Sequence, residues 1–92
     1  MKIAFDERAL DDLENIHAWI SEGRPDTAMT VVRRLYAAIE QLAVFPKIGR
    51  VGAVAGTRDW VVPRLPYVIV YKLDPAAELL IVVAVFHSAQ AR

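Results

Sequence analysis

The chain has 92 residues, of which 55% are hydrophobic and 24% charged, with no cysteine and a formal net charge of zero. That length suits one domain over residues 1–92, and a domain this short needs large apolar side chains to build a stable core. The composition excludes a disordered chain, and the absence of cysteine excludes both a disulfide framework and a thiolate metal site.

The chain begins with a predicted strand and a predicted amphipathic helix. Residues 2–5 form a short alternating run, and Asp6 after it is a suitable helix N-cap. Over residues 7–22 apolar side chains recur every three or four positions, which is the period of a helix. Gly23 is predicted to end this helix in a left-handed conformation. Trp19 lies near the apolar stripe and is predicted to belong to the core.

A second helix is predicted from about Asp26 to Phe45, where apolar residues again follow a helical spacing. Pro25 suits its first turn, and Pro46 ends it. Phe45 is predicted to be buried. The following residues, 46–56, contain three glycines and a proline without clear periodicity, so they are predicted to form a loop or an extended crossing segment.

Three strands are predicted in the second half, over residues 57–62, 67–73 and 79–87, because β-branched and aromatic residues dominate each run. The order of elements is therefore β-α-α-β-β-β. This order is typical of an α+β domain in which a helical hairpin packs on one face of an antiparallel sheet.

The last predicted strand is apolar at every position from Leu79 to Phe86. A sheet covered on one face should alternate apolar and polar residues, so a continuous apolar strand indicates that both faces are covered. Two helices can cover only one face, which predicts a partner chain or a second copy on the other. The alternative is a central strand shielded by long side chains of its neighbours. The residues predicted to meet the partner are Val68, Val70, Val82 and Ala84.

The charges are unevenly distributed along the chain. Residues 1–45 carry five basic and eight acidic side chains, whereas residues 46–92 carry six basic and three acidic ones. The basic second half predicts an anionic partner, and the alternative is an ordinary mixed surface.

No secretion or membrane signal is apparent in the sequence. Acidic residues interrupt the N-terminus before an apolar stretch of signal-peptide length can develop, and the longest apolar run is too short to span a bilayer. His17 and His87 are far apart, without metal-ligand spacing around them. We therefore expect a cytoplasmic protein that requires no metal or other cofactor and does not bind membranes.

Several phrases in a fixed order carry a family resemblance. They are Ala9-x-x-Asp12-Leu13-x-x-Ile16-x-x-Trp19-Ile20, Leu42-x-x-Phe45-Pro46-x-x-Gly49-Arg50, Gly56-Thr57-Arg58-Asp59-Trp60-Val61-Val62, Pro66-Tyr67-Val68-Ile69-Val70-Tyr71 and Ile81-x-x-x-Val85-x-His87-x-x-Gln90. Together they resemble the ParE-type branch of the RelE/ParE toxins of bacterial type II toxin–antitoxin systems, which are linked to the stress response. The resemblance implies a β-α-α-β-β-β toxin in a hetero-oligomer with a cognate antitoxin, whose C-terminal segment wraps across it.

The superfamily that the chain resembles divides by target. RelE-type members are metal-independent ribonucleases that cleave mRNA on the ribosome, which requires an acid, a base and cations near the phosphate. The available groups are His87 as an acid or base, and Arg50, Arg58, Arg64 and Lys72 as cations that could bind phosphate. The ribonuclease members similar to this chain usually have an arginine on the third strand, a little before the position of Tyr71, and a tyrosine beside or after the terminal histidine, and this chain has neither.

ParE-type members poison DNA gyrase, which requires a complementary surface and no acid–base pair. Arg58 is the first predicted contact, on the solvent side of its strand next to Trp60, unless it forms a salt bridge with Asp59 or Asp74. Arg64 and His87 complete the predicted target-binding set. A further interpretation is a protein without toxicity that serves as an antitoxin-binding partner or co-repressor.

Overall fold

The computed structural model describes residues 1–90. Its elements in chain order are β1 Lys2–Phe5, α1 Glu7–Ser21, α2 Pro25–Val44, β2 Arg50–Val51, β3 Thr57–Val61, β4 Tyr67–Asp74 and β5 Leu79–His87. The strands form one sheet in the order β1-β5-β4-β3-β2. The predicted α+β fold is confirmed, with two differences. β1 pairs with β5 in parallel, so the sheet is mixed, and a fifth strand, β2, lies in the segment predicted as a loop.

The two helices begin where the sequence predicts. The Asp6 side chain caps α1 by accepting a hydrogen bond from the backbone nitrogen of Arg8 at 3.0 Å, and α2 begins at Pro25. The predicted left-handed end at Gly23 is wrong. The backbone N–H groups of Gly23 and Arg24 both donate to the carbonyl of Ile20, at 3.3 and 3.0 Å. This pair of bonds closes the helix with a right-handed turn, so no glycine with positive φ is required there.

The core lies between the helices and one face of the sheet. Its largest fully buried side chains are Tyr71, Leu35, Ile39, Leu42, Ile69, Leu80 and Val82. Two aromatic residues predicted to be buried are exposed instead, Trp19 by 72% and Phe45 by 55%. Leu13 and Ile16 lie on the face of α1 that packs against the core. Trp19 lies about a quarter of a turn around the helix from that face. Phe45 is the residue that follows the last turn of α2.

The predicted bare sheet face is wrong. Val68, Val70 and Ala84 do lie on the face away from the helices, yet none is more than 7% exposed. Cross-strand neighbours flank them: Val68 pairs with Val61 and Phe86 on its two sides. The interior position of β4 and β5 in the sheet thus buries these short side chains within the monomer, which is the shielding alternative stated above.

Val82 lies on the opposite face from the one predicted. It pairs with Tyr71 and belongs to the helix-side core, whereas Ala84 pairs with Val70. The strand register shifts between Val70 and Tyr71, so Val83 is an extra residue in β5. An extra residue reverses the alternation of side chains beyond it. Positions 82 and 84 therefore face opposite sides, although a regular strand would place them together.

Among residues 1–90, neither helix combines the length and the apolar character that a membrane span requires.

Candidate functional site

One end of the sheet is organised around a buried tyrosine. The hydroxyl of Tyr71 donates to the carbonyl of Pro46 at 2.8 Å and accepts from the backbone nitrogen of Gly49 at 3.0 Å. Burial raises the pKa of Tyr71 above its ordinary value of 10.0, although the hydrogen bond from Gly49 and the positive charge of Arg58 act in the opposite direction. The phenol is therefore protonated at neutral pH and connects β4 to the segment after α2.

Arg58 completes this connection. The prediction that its side chain lies on the solvent side of the sheet is wrong. It pairs with Tyr71 across β3 and β4, which places both side chains on the helix side. Its Nη1 atom donates to the carbonyl of Gly49 at 2.9 Å and to that of Lys47 at 3.4 Å. Arg58 thus anchors the chain after α2, a structural role that no local pattern around it indicates.

The opposite end of β4 carries the terminal histidine. Tyr67 pairs with His87, and their rings meet edge to face with centroids 5.4 Å apart. The Nδ1 atom of His87 accepts from the backbone nitrogen of Ala89 at 3.1 Å. In the neutral ring the proton consequently lies on Nε2. Burial raises the pKa of Tyr67 above 10.0, so its phenol also stays protonated at neutral pH.

Most of the groups predicted for RNA cleavage lie far from His87, and only Arg64 shares its end of the sheet within residues 1–90. Tyr67 and Tyr71 are four residues apart in β4, so roughly 13 Å of strand separates His87 from Arg58. Lys72 and Arg50 extend from the other face of the sheet, since Lys72 follows Tyr71 directly and Arg50 pairs with the neighbour of Arg58. Among residues 1–90, no three metal-binding side chains cluster.

The predicted target-binding residues are also dispersed. Trp60 is partly buried and packs against the core, opposite Ile69. Arg64 is exposed in the turn between β3 and β4, where its φ of 65° is left-handed. This turn adjoins the end of β5, because the backbone nitrogen of Ser88 donates to the carbonyl of Pro66 at 2.7 Å. Arg64 and His87 therefore share one end of the sheet, and Arg58 lies at the other.

A groove beside α1 was missed by the sequence reasoning. It has a volume of about 470 Å³, with Trp19 and Ile16 of α1 on one side and Tyr67, Phe86 and His87 of the sheet on the other. It exists because β1 pairs with residues 79–82 of β5, and no strand within residues 1–90 pairs with the rest of that edge. The only signal of this groove in the sequence was Trp19, a large aromatic residue at the border of the apolar stripe of α1.

Asp12 occupies part of this open strand edge. Its Oδ2 atom accepts from the backbone nitrogen of Val85 at 2.9 Å, although the two residues are 73 positions apart. The carboxylate thus takes the place that a carbonyl of a longer β1 would fill. Nothing in the local pattern distinguishes Asp12 from the neighbouring acidic residues of the helix.

Known proteins share both the sequence pattern and the fold of this chain. The chain matches the family model described as ParE toxin of type II toxin-antitoxin system, parDE, over residues 3–92. It is 38% identical over 81 residues to Y4kP of Sinorhizobium fredii, a protein named as a toxin, and the alignment covers 88% of this chain and 84% of that one. The chain therefore belongs to the ParE toxin family of type II toxin–antitoxin systems.

Solved structures share the fold at low sequence identity. The chromosomal ParDE system of P. aeruginosa superposes with a TM-score of 0.83 at 18% identity, covering 95% of each chain. The isolated E. coli RelE toxin gives 0.72 at 17% identity, covering 99% of this chain and 87% of that one. The toxin–antitoxin complex RelBE of E. coli gives 0.72 at 18% identity, with 97% and 98% covered.

Proposed function

We propose that this toxin acts by binding DNA gyrase and does not cleave RNA, and that a cognate antitoxin neutralises it. One observation carries the choice of target: His87 lies roughly 13 Å along β4 from Arg58, and of the predicted cations only Arg64 shares its end of the sheet within residues 1–90. In-line cleavage of RNA needs acid, base and cation around one phosphate. Binding to a large target needs none of these, and membership of the ParE family favours the same choice.

The antitoxin must use side chains that are exposed in the isolated chain. The four valine and alanine positions predicted for this contact are buried, which favours other side chains for it. RelBE of E. coli, which shares the fold, is a complex of a toxin with its antitoxin, and this supports a partner of the same kind here. Trp19, at the rim of the groove beside α1, is the largest exposed apolar side chain available for such a contact.

The target is tested with the purified chain in two parallel reactions. We expect it to inhibit DNA supercoiling by gyrase and to trap linear plasmid, and to leave mRNA intact in a translating ribosome mixture. Addition of the purified antitoxin should restore supercoiling. Ribosome-dependent cuts in mRNA with unchanged supercoiling would reject the proposal in favour of a ribonuclease, and inactivity in both reactions would favour the non-toxic partner.

Within the predicted target-binding set, we propose Arg64 as a direct contact because its side chain is exposed and has no structural partner within residues 1–90. Arg64→Asn is the suitable change, since asparagine tolerates the left-handed backbone at this position. Loss of one charged contact should weaken gyrase inhibition by about tenfold. Arg33→Asn, which removes an exposed arginine from α2, is the matched control. Equal inhibition by both variants would remove Arg64 from the contact surface.

A further inference from the structure

The segment from Val44 to Val54 combines exposed apolar side chains with positive charge. Five of its large apolar side chains are 40% to 81% exposed: Val44, Phe45, Ile48, Val51 and Val54. The same segment carries two basic side chains, Lys47 and Arg50, and no acidic side chain. Exposed apolar side chains gathered in this way mark interaction surfaces, and the surrounding charge selects an anionic partner.

The segment is held in a fixed conformation by the sheet beneath it. Tyr71 and Arg58 bind its first half through the contacts described above. Its second half is closed by Thr57, whose backbone nitrogen and hydroxyl both donate to the carbonyl of Val54, at 3.1 and 2.7 Å. The exposed side chains are therefore presented without further ordering of the backbone, which favours binding.

The backbone of this segment also offers an open strand edge. β2 is the last strand of the sheet, and no strand within residues 1–90 pairs with its outer side. The backbone nitrogen of Gly52 donates to the carbonyl of Thr57 at 2.8 Å. Hydrogen-bonded and non-hydrogen-bonded pairs alternate in antiparallel strands, so the next pair, Val51 with Arg58, is non-hydrogen-bonded. The N–H and C=O groups of Val51 consequently point away from the sheet.

We propose that β2 and the segment 44–54 form a docking surface for an extended, acidic segment of a protein partner, which adds a strand beside Val51. Its backbone would bond to the outward groups of Val51, its apolar side chains would pack on Val51 and Val54, and its carboxylates would face Lys47 and Arg50. A nucleic acid is the less suitable occupant, because phosphates gain nothing from exposed valines. The proposal is independent of which enzyme the toxin inhibits.

The test uses the full chain labelled with ¹⁵N and a synthetic peptide of alternating glutamate and valine, followed by NMR. We expect the largest amide shifts within residues 44–58 and weaker binding as salt is raised, because the attraction between exposed charges is screened. A peptide with lysine in place of glutamate should not bind. Absence of binding by the glutamate peptide, equal binding by the lysine peptide, or shifts centred elsewhere would overturn the proposal, as would stronger shifts at these residues with a short DNA duplex.

Two substitutions separate backbone pairing from side-chain packing. Val51→Pro removes the outward N–H group without breaking a bond to β3 and should weaken peptide binding about fivefold. Val51→Ser keeps this group and loses only apolar contact, so it should weaken binding by a smaller factor. Val61→Ser, at an exposed valine outside the segment, is the control and should bind as the parent does. Should Val51→Pro unfold, Val51→Ser decides: binding equal to that of Val61→Ser contradicts the proposed contact.

Discussion

Removal of a single hydroxyl from the buried tyrosine of β4 should destabilise the whole domain. Tyr71→Phe keeps the ring in the core and deletes the group that bonds to Pro46 and Gly49. The Gly49 nitrogen is left buried without an acceptor, which costs about 1–3 kcal/mol, and loss of the bond to Pro46 adds about 1 kcal/mol. We therefore expect the free energy of unfolding to fall by about 2–4 kcal/mol, a large share of the stability of a small domain.

Urea unfolding followed by circular dichroism measures this loss. For a domain of this size the melting temperature should fall by about 10–25 °C. Tyr36→Phe is the matched control, because the hydroxyl of Tyr36 makes no hydrogen bond within residues 1–90 and its ring is partly exposed. A change below about 0.5 kcal/mol for Tyr71→Phe, similar to that of the control, would refute the reasoning.

A second substitution tests whether the same atoms are in contact. A Cβ atom at Gly49 would lie 2.5 Å from the hydroxyl oxygen and 2.8 Å from Cε1 of Tyr71. Gly49→Ala should therefore destabilise the parent by about 1–3 kcal/mol, through overpacking. In the Tyr71→Phe background the closer clash is gone, so the double variant should lose less than the sum of the two single losses. If the losses of the two single variants were strictly additive in the double variant, the result would contradict a contact between Gly49 and the hydroxyl of Tyr71.

Three further predictions concern pH, the edge of β5 and the groove beside α1. Burial raises the folded-state pKa of Tyr67 and Tyr71 above 10.0, so the stability that these two phenols contribute should be constant at neutral pH and be lost as pH rises above 10. Urea midpoints at about pH 9 and about pH 11 measure this loss, and equal midpoints would contradict it. Asp12→Ala should cost about 1–2 kcal/mol and speed amide exchange at Val85, whereas Asp12→Asn, which keeps an acceptor oxygen, should retain most of the protection. Trp19→Ser should change the urea midpoint little while weakening antitoxin binding at least about tenfold by calorimetry, and unchanged affinity would remove this residue from the interface.

The candidate site was only partly predictable from the sequence. The residue types at His87, Arg58, Arg50 and Lys72 indicated possible chemistry, but their mutual distance depends on the strand register. Arg58 illustrates the limit: a charged residue in a strand-forming run suggested a solvent-facing contact, and its real acceptors are carbonyls of Lys47 and Gly49. No local pattern indicates that the chain after α2 folds back over β3.

The sequence by itself determined most of the elements and their order. Helical spacing located α1 and α2, Asp6 marked the beginning of the first helix, and β-branched runs located β3, β4 and β5. These features depend on neighbours a few residues apart, so they are visible in the linear pattern. The family phrases also follow the chain, and the family model that matches residues 3–92 confirms that resemblance.

Tertiary structure alone decided which faces are covered. The parallel pairing of β1 with β5 joins segments more than seventy residues apart, and its short length leaves the edge that Asp12 fills. The extra residue at Val83 turns Val82 into the core, and the placement of α1 leaves Trp19 in solvent. Each of these outcomes depends on how distant segments meet, and the energy of such contacts is not encoded in the periodicity of either segment.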